Sequence, residues 1–270
     1  MYSAKEMIQK RKSVRSFNGT PLSVKDKNEL QAFIEALKNP FDVPIDFRLL
    51  GTKEYGVSSP VIIGEDTYIA AKVTKQKNFE IAFGYSFEAV CLFAESLGLG
   101  TVMLAASLSR AAFEKAMKVG ENEVLPLASP VGYPAEKKSL RETLMRKALK
   151  ADERIPFEEL FFENNFKTPL SKEKAGVFSE ALEMVRLAPS ATNKQPWRAV
   201  IQGDTVHFYE NKTIRESSLG DIQKVDIGIA LAHFDLTMKE DGCEGVFTEA
   251  NPQLEAPESF EYIISYERKS

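Results

Sequence analysis

Two short polar segments, far apart in the chain, carry side chains that could bind a charged small molecule. The first, KRKSVR, places two lysines, two arginines and a serine within residues 10–15. Such side chains bind phosphate oxygens through charge-assisted hydrogen bonds. The second, PSATNKQPW at residues 189–197, contains the only tryptophan and a run of hydroxyl and amide side chains. Its Ser190 and Asn193 could bond to polyol hydroxyls and heterocycle edges, or to the backbone of their own turn.

A phosphate-binding segment combined with a heterocycle-binding segment predicts a mononucleotide ligand. The glycine-containing stretch GLGTVML at residues 98–104 matches neither the GxGxxG pattern of dinucleotide-binding folds nor the P-loop. The sequence therefore argues against Rossmann and NTPase folds, even though the predicted ligand is a nucleotide.

The composition is that of an ordinary globular protein of 270 residues, 43% hydrophobic and 27% charged. A net charge of −4 argues against a nucleic-acid-binding protein. The N-terminus has no apolar signal sequence and no segment has the unbroken apolar length of a membrane helix, so we expect a cytoplasmic protein. Two cysteines outside any CxxC pattern and two histidines favour neither a metal site nor a disulfide. His233 lies in an apolar helical run and is predicted to be structural.

A second basic cluster lies between residues 137 and 154. It has two open interpretations, a surface that binds a small anion and a solvated helix face. The cluster consists of Lys137, Lys138, Arg141, Arg146, Lys147, Lys150 and Arg154.

The chain also repeats itself. The tetrapeptide TPLS begins at Thr20 and again at Thr168, an offset of 168 − 20 = 148. In each copy its serine precedes an apolar-periodic run, so Ser23 and Ser171 are predicted N-caps of helices over residues 23–37 and 171–187.

A second pair of segments repeats at a similar distance. FGYSFEAVCLFAESLG and IGIALAHFDLTMKEDG have glycines at 84 and 98 and at 228 and 242, and both offsets are 144 (228 − 84 and 242 − 98). Each predicts a helix that is apolar on nearly every face, ends at a left-handed glycine and is buried. The repeat indicates a duplicated fold with two central helices related by a pseudo-two-fold axis.

The remaining apolar runs predict strands. They are FRLLGT, PVIIGE and LPLASPVGY in the first half, and a WRAVIQGDTVHFYE hairpin and EYIISYE in the second. We therefore expect an α+β fold with antiparallel or mixed sheets, built from one repeat over residues 1–160 and another over residues 161–270.

The two halves have lost different polar elements. FEELFFENNF (157–166) stands opposite the basic segment, and KNPFDVPID (38–46) stands opposite the polar segment. A full site needs one basic segment and one polar segment from opposite halves. We therefore expect one composite site per chain. A monomer is sufficient to form this site, and a dimer could still form for other reasons.

The sequence resembles the nitroreductase family of flavin mononucleotide enzymes. The resemblance rests on a basic motif at Arg11–Arg15, a Pro-Ser-x-x-Asn-x-Gln-Pro-Trp loop at Pro189–Trp197 and an Arg-x-Pro segment at Arg154–Leu160. Gly-Leu-Gly at Gly98–Gly100 and Gly-Tyr-Pro at Gly132–Pro134 add to it. Ordinary members are dimers with both early motifs near the N-terminus. Here the loop lies in the second half, so the chain resembles the fused branch in which one polypeptide mimics the dimer.

The resemblance implies an FMN cofactor and a role for each matching residue. Arg11, Ser13 and Arg154, helped by Lys12, would bind the flavin phosphate, and Arg15 would lie nearer the ribityl chain and pyrimidine edge. The residues that would line the flavin from the second half are Pro189, Ser190 and Asn193. The backbone amides that would approach flavin N5 are those of Leu104, Ala105 and Ala106. Gln195 and Trp197 would anchor the loop.

The implied reaction is a ping-pong hydride transfer from NADH or NADPH through the flavin to a small-molecule acceptor such as a nitroaromatic or a quinone. The flavin performs this chemistry, so no catalytic side chain is predicted. Two alternatives stay open, a flavin-binding protein with little turnover and a relic that binds no cofactor.

For the apo-protein, replacement of Arg11 by alanine is expected to leave the melting point nearly unchanged.

Overall fold

The structure is a computed structural model that describes residues 2–136, 139–148 and 150–269. The chain divides into two compact units that do not strictly follow sequence order. The first unit contains Lys10–Phe79 and Ser86–Ala151, and the second contains Ser3–Gln9, Glu80–Tyr85 and Asp152–Ser270. The predicted division into repeats over residues 1–160 and 161–270 describes an ancestral duplication. Contacts between residues do not test that division, so it stays a prediction.

The first unit is built on a five-stranded antiparallel sheet with the order β1-β2-β5-β3, in which β4 also pairs with β2. Its strands are β1 (Ile45–Gly51), β2 (Thr67–Thr74), β3 (Gly100–Thr101), β4 (Glu123–Val124) and β5 (Ala128–Gly132). Its helices are α2 (Val24–Ala36), α3 (Thr52–Tyr55), α5 (Arg110–Met117) and α6 (Leu140–Ala148). One buried cluster fills the space between α5 and the sheet, with Phe113 and Met117 packed around Tyr68.

The second unit contains a five-stranded mixed sheet with the order β6-β7-β8-β10-β9. Its strands are β6 (Phe161–Glu163), β7 (Trp197–Gln202), β8 (Thr205–Asn211), β9 (Gly245–Thr248) and β10 (Phe260–Arg268). Only β6 and β7 pair in parallel among these strands. Its helices are α7 (Phe157–Leu160), α8 (Lys172–Ala175), α9 (Ser179–Leu187) and α10 (Ile222–Glu240). The predicted α+β class with antiparallel and mixed sheets is confirmed.

Two long helices are almost entirely buried, as the repeat predicted. They are α4 (Phe79–Ser96) and α10, and the short α1 (Ala4–Lys10) precedes them in the chain. Gly98 and Gly242 follow the two long helices with φ values of 74° and 72°, which is the left-handed conformation that glycine adopts most easily. Within the described ranges, no helix is both long and apolar enough to cross a membrane.

The two predicted N-caps are confirmed, but only one of the helices they begin is continuous. Ser23 Oγ accepts from Asp26 N–H before α2, and Ser171 Oγ accepts from Lys174 N–H before α8. The helix predicted over 171–187 is interrupted, because Gly176 has φ 54° and ψ −127° and a 3₁₀ turn separates α8 from α9. The 3.6-residue periodicity continues across this break, which is why the sequence pattern missed it.

Four of the predicted strand segments are confirmed and one is wrong. FRLLGT, LPLASPVGY, EYIISYE and the hairpin with its turn at Gly203 match β1, β5, β10 and β7–β8. PVIIGE is a loop in which Ile63 forms a single bridge to Ser16. A Cβ on Gly64 (φ 77°) would lie 2.3 Å from the Phe17 carbonyl oxygen, so the chain passes too closely here for a regular strand. The strand that pairs with β1 is β2, just beyond this loop.

Candidate functional site

The basic segment at residues 11–15 runs through the first unit in an extended conformation that is held on both sides. Ser13 bridges Thr101 of β3, and Val14 N–H donates to the Thr101 carbonyl at 2.9 Å. On the other side, Ile63 N–H donates to the Arg15 carbonyl at 3.0 Å. The buried Val14 fixes the segment, while the side chains of Ser13 and Arg15 remain partly exposed.

The Gly-Leu-Gly motif has a packing role beside this segment. A Cβ on Gly100 would lie 2.7 Å from Val14 Cγ2, so only glycine lets β3 approach the basic segment so closely. Gly100 therefore supports the position of residues 13–15 without itself presenting a functional group.

The Gly-Tyr-Pro motif supports the residues that follow the basic segment. Asn18 N–H donates to the Tyr133 carbonyl at 3.0 Å, and Pro134 bridges Phe17. The Tyr133 hydroxyl donates to the Asp26 carboxylate and accepts from Ser23 N–H at 3.2 Å. The motif thus ties the end of the basic segment to the start of α2.

Arg11 has a structural neighbour that the sequence analysis missed. Its side chain is 10% exposed, and its Nε lies 3.9 Å from Oε1 of Glu88, a carboxylate on α4 that is fully buried. A buried carboxylate needs a nearby positive charge. We therefore now expect Arg11 to contribute to apo-protein stability, in contrast to the expectation from the sequence that its replacement leaves the melting point nearly unchanged. The signal available in the sequence was Glu88 itself, an acid within an otherwise apolar helix.

The segment at Leu104–Ala106 presents fewer amide donors than the resemblance implied. Leu104 N–H donates to the Ala128 carbonyl at 2.9 Å, and the Leu104 carbonyl accepts from Ala128 N–H at 3.1 Å. The N–H groups of Ala105 and Ala106, in contrast, make no hydrogen bond within the described part of the chain. These two consecutive amides are the donors that this segment can offer to a ligand.

The polar loop at residues 189–196 lies in the second unit and is held by buried anchors. Gln195 is 4% exposed, its Oε1 accepts from Ile155 N–H at 2.9 Å, and its own N–H donates to Ser190 Oγ at 2.8 Å. Trp197 is fully buried. The predicted anchoring role of Gln195 and Trp197 is confirmed, and the Ser190 hydroxyl shares that role.

Arg154 and Asn193 lie together, although they are distant in the sequence. Arg154 Nη1 donates to Asn193 Oδ1 at 3.4 Å, and Arg154 Nη2 donates to the Leu187 carbonyl at 3.3 Å. Asn193 Nδ2 donates to the Glu153 carbonyl at 3.1 Å. The Arg-x-Pro motif and the polar loop therefore form one hydrogen-bonded element.

This loop has a strained backbone that a buried acid helps to hold. Thr192, Asn193 and Gln195 have φ values of 50°, 58° and 49°, a left-handed conformation that costs non-glycine residues roughly 1–2 kcal/mol each. Both carboxylate oxygens of Asp226 lie 3.0 Å from the Ala191 N–H that donates to them. Burial raises the pKa of Asp226 well above its ordinary value, and the hydrogen bond from Ala191 opposes that shift. Clustered strain of this kind is typical of ligand-binding segments.

A second buried acid, Glu210 on β8, is the cross-strand partner of Trp197. It is fully buried, and neither of its carboxylate oxygens has a hydrogen-bond partner among the described residues. Burial raises its pKa to about 7, and the negative charge of Asp221 adds to that shift. The end of β8 nearest the polar loop therefore holds a carboxyl group that is partly protonated at neutral pH.

The comparison with protein families decides the affiliation of the chain. A family described as "Putative TM nitroreductase" matches residues 3–238. The chain belongs to this nitroreductase family. No curated protein matches it significantly.

Solved structures of other family members resemble this nitroreductase-family chain. A "putative nitroreductase" from Thermotoga maritima is 23% identical with a TM-score of 0.65, and the match covers 99% of this chain and 93% of that one. A family protein from Clostridium novyi NT is 19% identical (TM-score 0.43) and covers 52% of this chain and 90% of its own. A nitroreductase with bound FMN from Bacteroides fragilis is 17% identical (TM-score 0.42), with 52% and 92% covered. The first of these likenesses confirms the nitroreductase fold over nearly the whole chain.

Among the described residues of the second basic cluster, Arg154 is the member that bonds to the polar loop. Lys137 and Lys138 lie outside the described residues, as do the side chains of Arg141 and Arg146. Lys147 and Lys150 are exposed, and Arg154 belongs to the polar-loop element described above. Whether the cluster binds an anion stays a prediction.

His233 is structural, as predicted. It is fully buried on α10, with Nδ1 2.9 Å from the Met184 carbonyl. His207 is also buried, with Nδ1 2.7 Å from Ser265 Oγ, and burial lowers its pKa. Both histidines serve the packing of the second unit.

Proposed function

We propose that this protein is an FMN-dependent oxidoreductase that uses NADH or NADPH to reduce small acceptors such as nitroaromatics and quinones. The observation that carries the proposal is membership of the nitroreductase family over residues 3–238. The flavin, when bound, supplies the hydride chemistry, so the chain needs only to bind and orient it.

The chemistry of the available groups fits an FMN molecule. The basic segment offers the cations and hydroxyl that a dianionic phosphate requires, at Arg11, Lys12, Ser13 and Arg15. Ala105 and Ala106 offer two backbone donors that make no hydrogen bond to any described residue. The polar loop and the arginine bonded to it offer Pro189, Ser190, Asn193 and Arg154. We propose that each of these groups contributes to flavin binding, the basic segment through the phosphate of the flavin.

The arrangement of the polar element supports pre-organised binding. Its side chains already bond to one another and to the main chain, so the loop does not have to become ordered when a ligand arrives. Binding that needs little ordering loses less conformational entropy and is tighter for the same contacts. The strain at Thr192 and Asn193 is then compensated by the anchors at Asp226 and Gln195.

The test begins with purified protein and added FMN, FAD and riboflavin. We expect tight binding of FMN and weak binding of riboflavin, because riboflavin lacks the phosphate. NADH or NADPH, added anaerobically, should bleach the bound flavin, and a nitroaromatic or quinone should restore its colour. FMN that binds but is bleached by neither nicotinamide would identify a flavin-binding protein without turnover. Failure to bind FMN would reject the proposal.

A further inference from the structure

Arg110, the first residue of α5, donates hydrogen bonds to three backbone carbonyls. Its Nη1 lies 2.6 Å from the Leu125 carbonyl oxygen, and its Nη2 lies 2.6 Å from that of Ala105 and 3.4 Å from that of Pro126. The guanidinium thus joins the Ala105 segment to the residues that lead into β5. All four residues belong to the first unit.

The position of this arginine is unfavourable for the helix that it begins. The N-terminus of a helix carries a partial positive charge, so a cation there costs about 0.3–1 kcal/mol. Its Nη1 lies 3.8 Å from the carboxylate of Glu114, and this partly exposed i,i+4 pair contributes little. The hydrogen bonds to these carbonyls therefore explain the presence of an arginine at this position better than a contribution to the stability of α5 does.

The contact with the Ala105 carbonyl also acts on the next amide. The carbonyl of Ala105 and the N–H of Ala106 belong to one planar trans peptide and point in opposite directions. A cationic donor on the oxygen fixes the plane and polarises it, which strengthens the N–H as a donor. Ala106 is exposed, and its N–H makes no hydrogen bond within the described residues. Arg110 therefore holds the peptide plane of an N–H group from which no described residue accepts a hydrogen bond.

We propose that Arg110 is a positioning residue that aims and strengthens Ala106 N–H as a hydrogen-bond donor to the redox-active edge of the flavin. This inference rests on the proposed FMN-dependent function. An oxidised flavin accepts at N5 through a lone pair, whereas a reduced flavin carries a hydrogen there. The donor therefore stabilises bound oxidised FMN more than bound reduced FMN, and Arg110 lowers the midpoint potential of the bound flavin.

The experiment compares Arg110→Gln, Arg110→Lys and Ala106→Pro with the wild type. Arg110→Gln should weaken binding of oxidised FMN about tenfold. It should leave the affinity for reduced FMN nearly unchanged, so the midpoint potential rises by about 30 mV for a two-electron couple. Arg110→Lys retains the charge and should restore part of the effect. Ala106→Pro removes the donor itself while Arg110 stays in place, and should raise the potential by a similar amount.

Glu114→Gln is the matched control, since it changes the other polar neighbour of Arg110 and should leave the potential unaltered. A merely structural role for Arg110 would weaken both redox forms equally and leave the potential unchanged, which would overturn the proposal. Ala106→Pro decides the question if Arg110→Gln does not fold, and an unchanged potential in that variant would also overturn it. A wild-type protein that binds no FMN would instead reject the proposed function, so the two failures are distinguishable.

Discussion

Gly84 of α4 and Gly228 of α10 make the same close contact with each other's helix. A Cβ on Gly84 would lie 2.0 Å from the Val225 carbonyl oxygen, and a Cβ on Gly228 would lie 2.1 Å from that of Ile81. Both pairs of equivalent residues are separated by 144 positions (228 − 84 and 225 − 81), which is the offset of the sequence repeat. A reciprocal contact of this kind is what two-fold symmetry produces, and it supports an internal duplication.

Alanine at either glycine should destabilise the protein. Alanine normally favours a helix over glycine by about 1 kcal/mol. Here the added methyl group would meet backbone atoms, so we expect Gly84→Ala and Gly228→Ala each to lower the free energy of unfolding by about 3 kcal/mol. Gly51→Ala is the control, because its Cβ would meet only Glu54 at an ordinary 3.7 Å. Urea unfolding measures all three, and wild-type stability in the first two would contradict the close helix contact.

Replacement of Arg11 should affect both folding and the proposed ligand. Arg11→Ala removes the positive charge beside the fully buried Glu88, so the apo-protein should lose about 2 kcal/mol of stability. The double variant with Glu88→Gln should recover most of that loss. FMN affinity should fall tenfold to a hundredfold in both variants. Unfolding curves and FMN titrations separate the two effects, and an unchanged apo-protein stability would show that Glu88 does not depend on Arg11.

Glu210 should make stability depend on pH. Its folded-state pKa of about 7 exceeds the ordinary glutamate value near 4.3, so the folded state binds more protons between these values. Stability should therefore fall as the pH rises through this window. Relative to the wild type, Glu210→Gln should therefore be more stable at pH 8 than at pH 5 by about 2–3 kcal/mol. Exposed Glu258→Gln serves as the control. Parallel pH profiles for wild type and Glu210→Gln would rule out this source of pH dependence.

The stoichiometry should be one FMN per chain. Only the first half carries the basic segment at residues 11–15, and only the second carries the polar loop at residues 189–196. The opposite combination, 157–166 with 38–46, would present acidic and apolar groups to a dianion. Flavin absorbance against protein concentration, with light scattering for mass, measures this ratio. Two flavins per chain, or binding that disappears on dilution to monomer, would refute the composite site.

Local signals in the sequence were sufficient for much of the fold. Ser23 and Ser171 cap helices because a hydroxyl reaches an amide two or three residues ahead. Gly98, Gly203 and Gly242 mark helix ends and a hairpin turn, because each occupies a left-handed conformation that glycine adopts without strain. The polar loop was also identified from its composition, together with its anchors.

Other features depend on which distant segments meet. Gly64 breaks a predicted strand because the Phe17 backbone passes beside it. Arg11 also lies next to the buried carboxylate of Glu88, because the fold brings α4 close to the basic segment. The strained loop is held by Asp226, which lies far along the chain, and the Ala105 peptide by Arg110. The sequence by itself determined the caps, the glycine turns, four of the strand segments and the repeat, since those interactions span a few residues or recur at a fixed spacing. Only the tertiary structure decided which buried charge or carbonyl each functional segment contacts, because such contacts form when folding brings distant backbones within hydrogen-bonding distance.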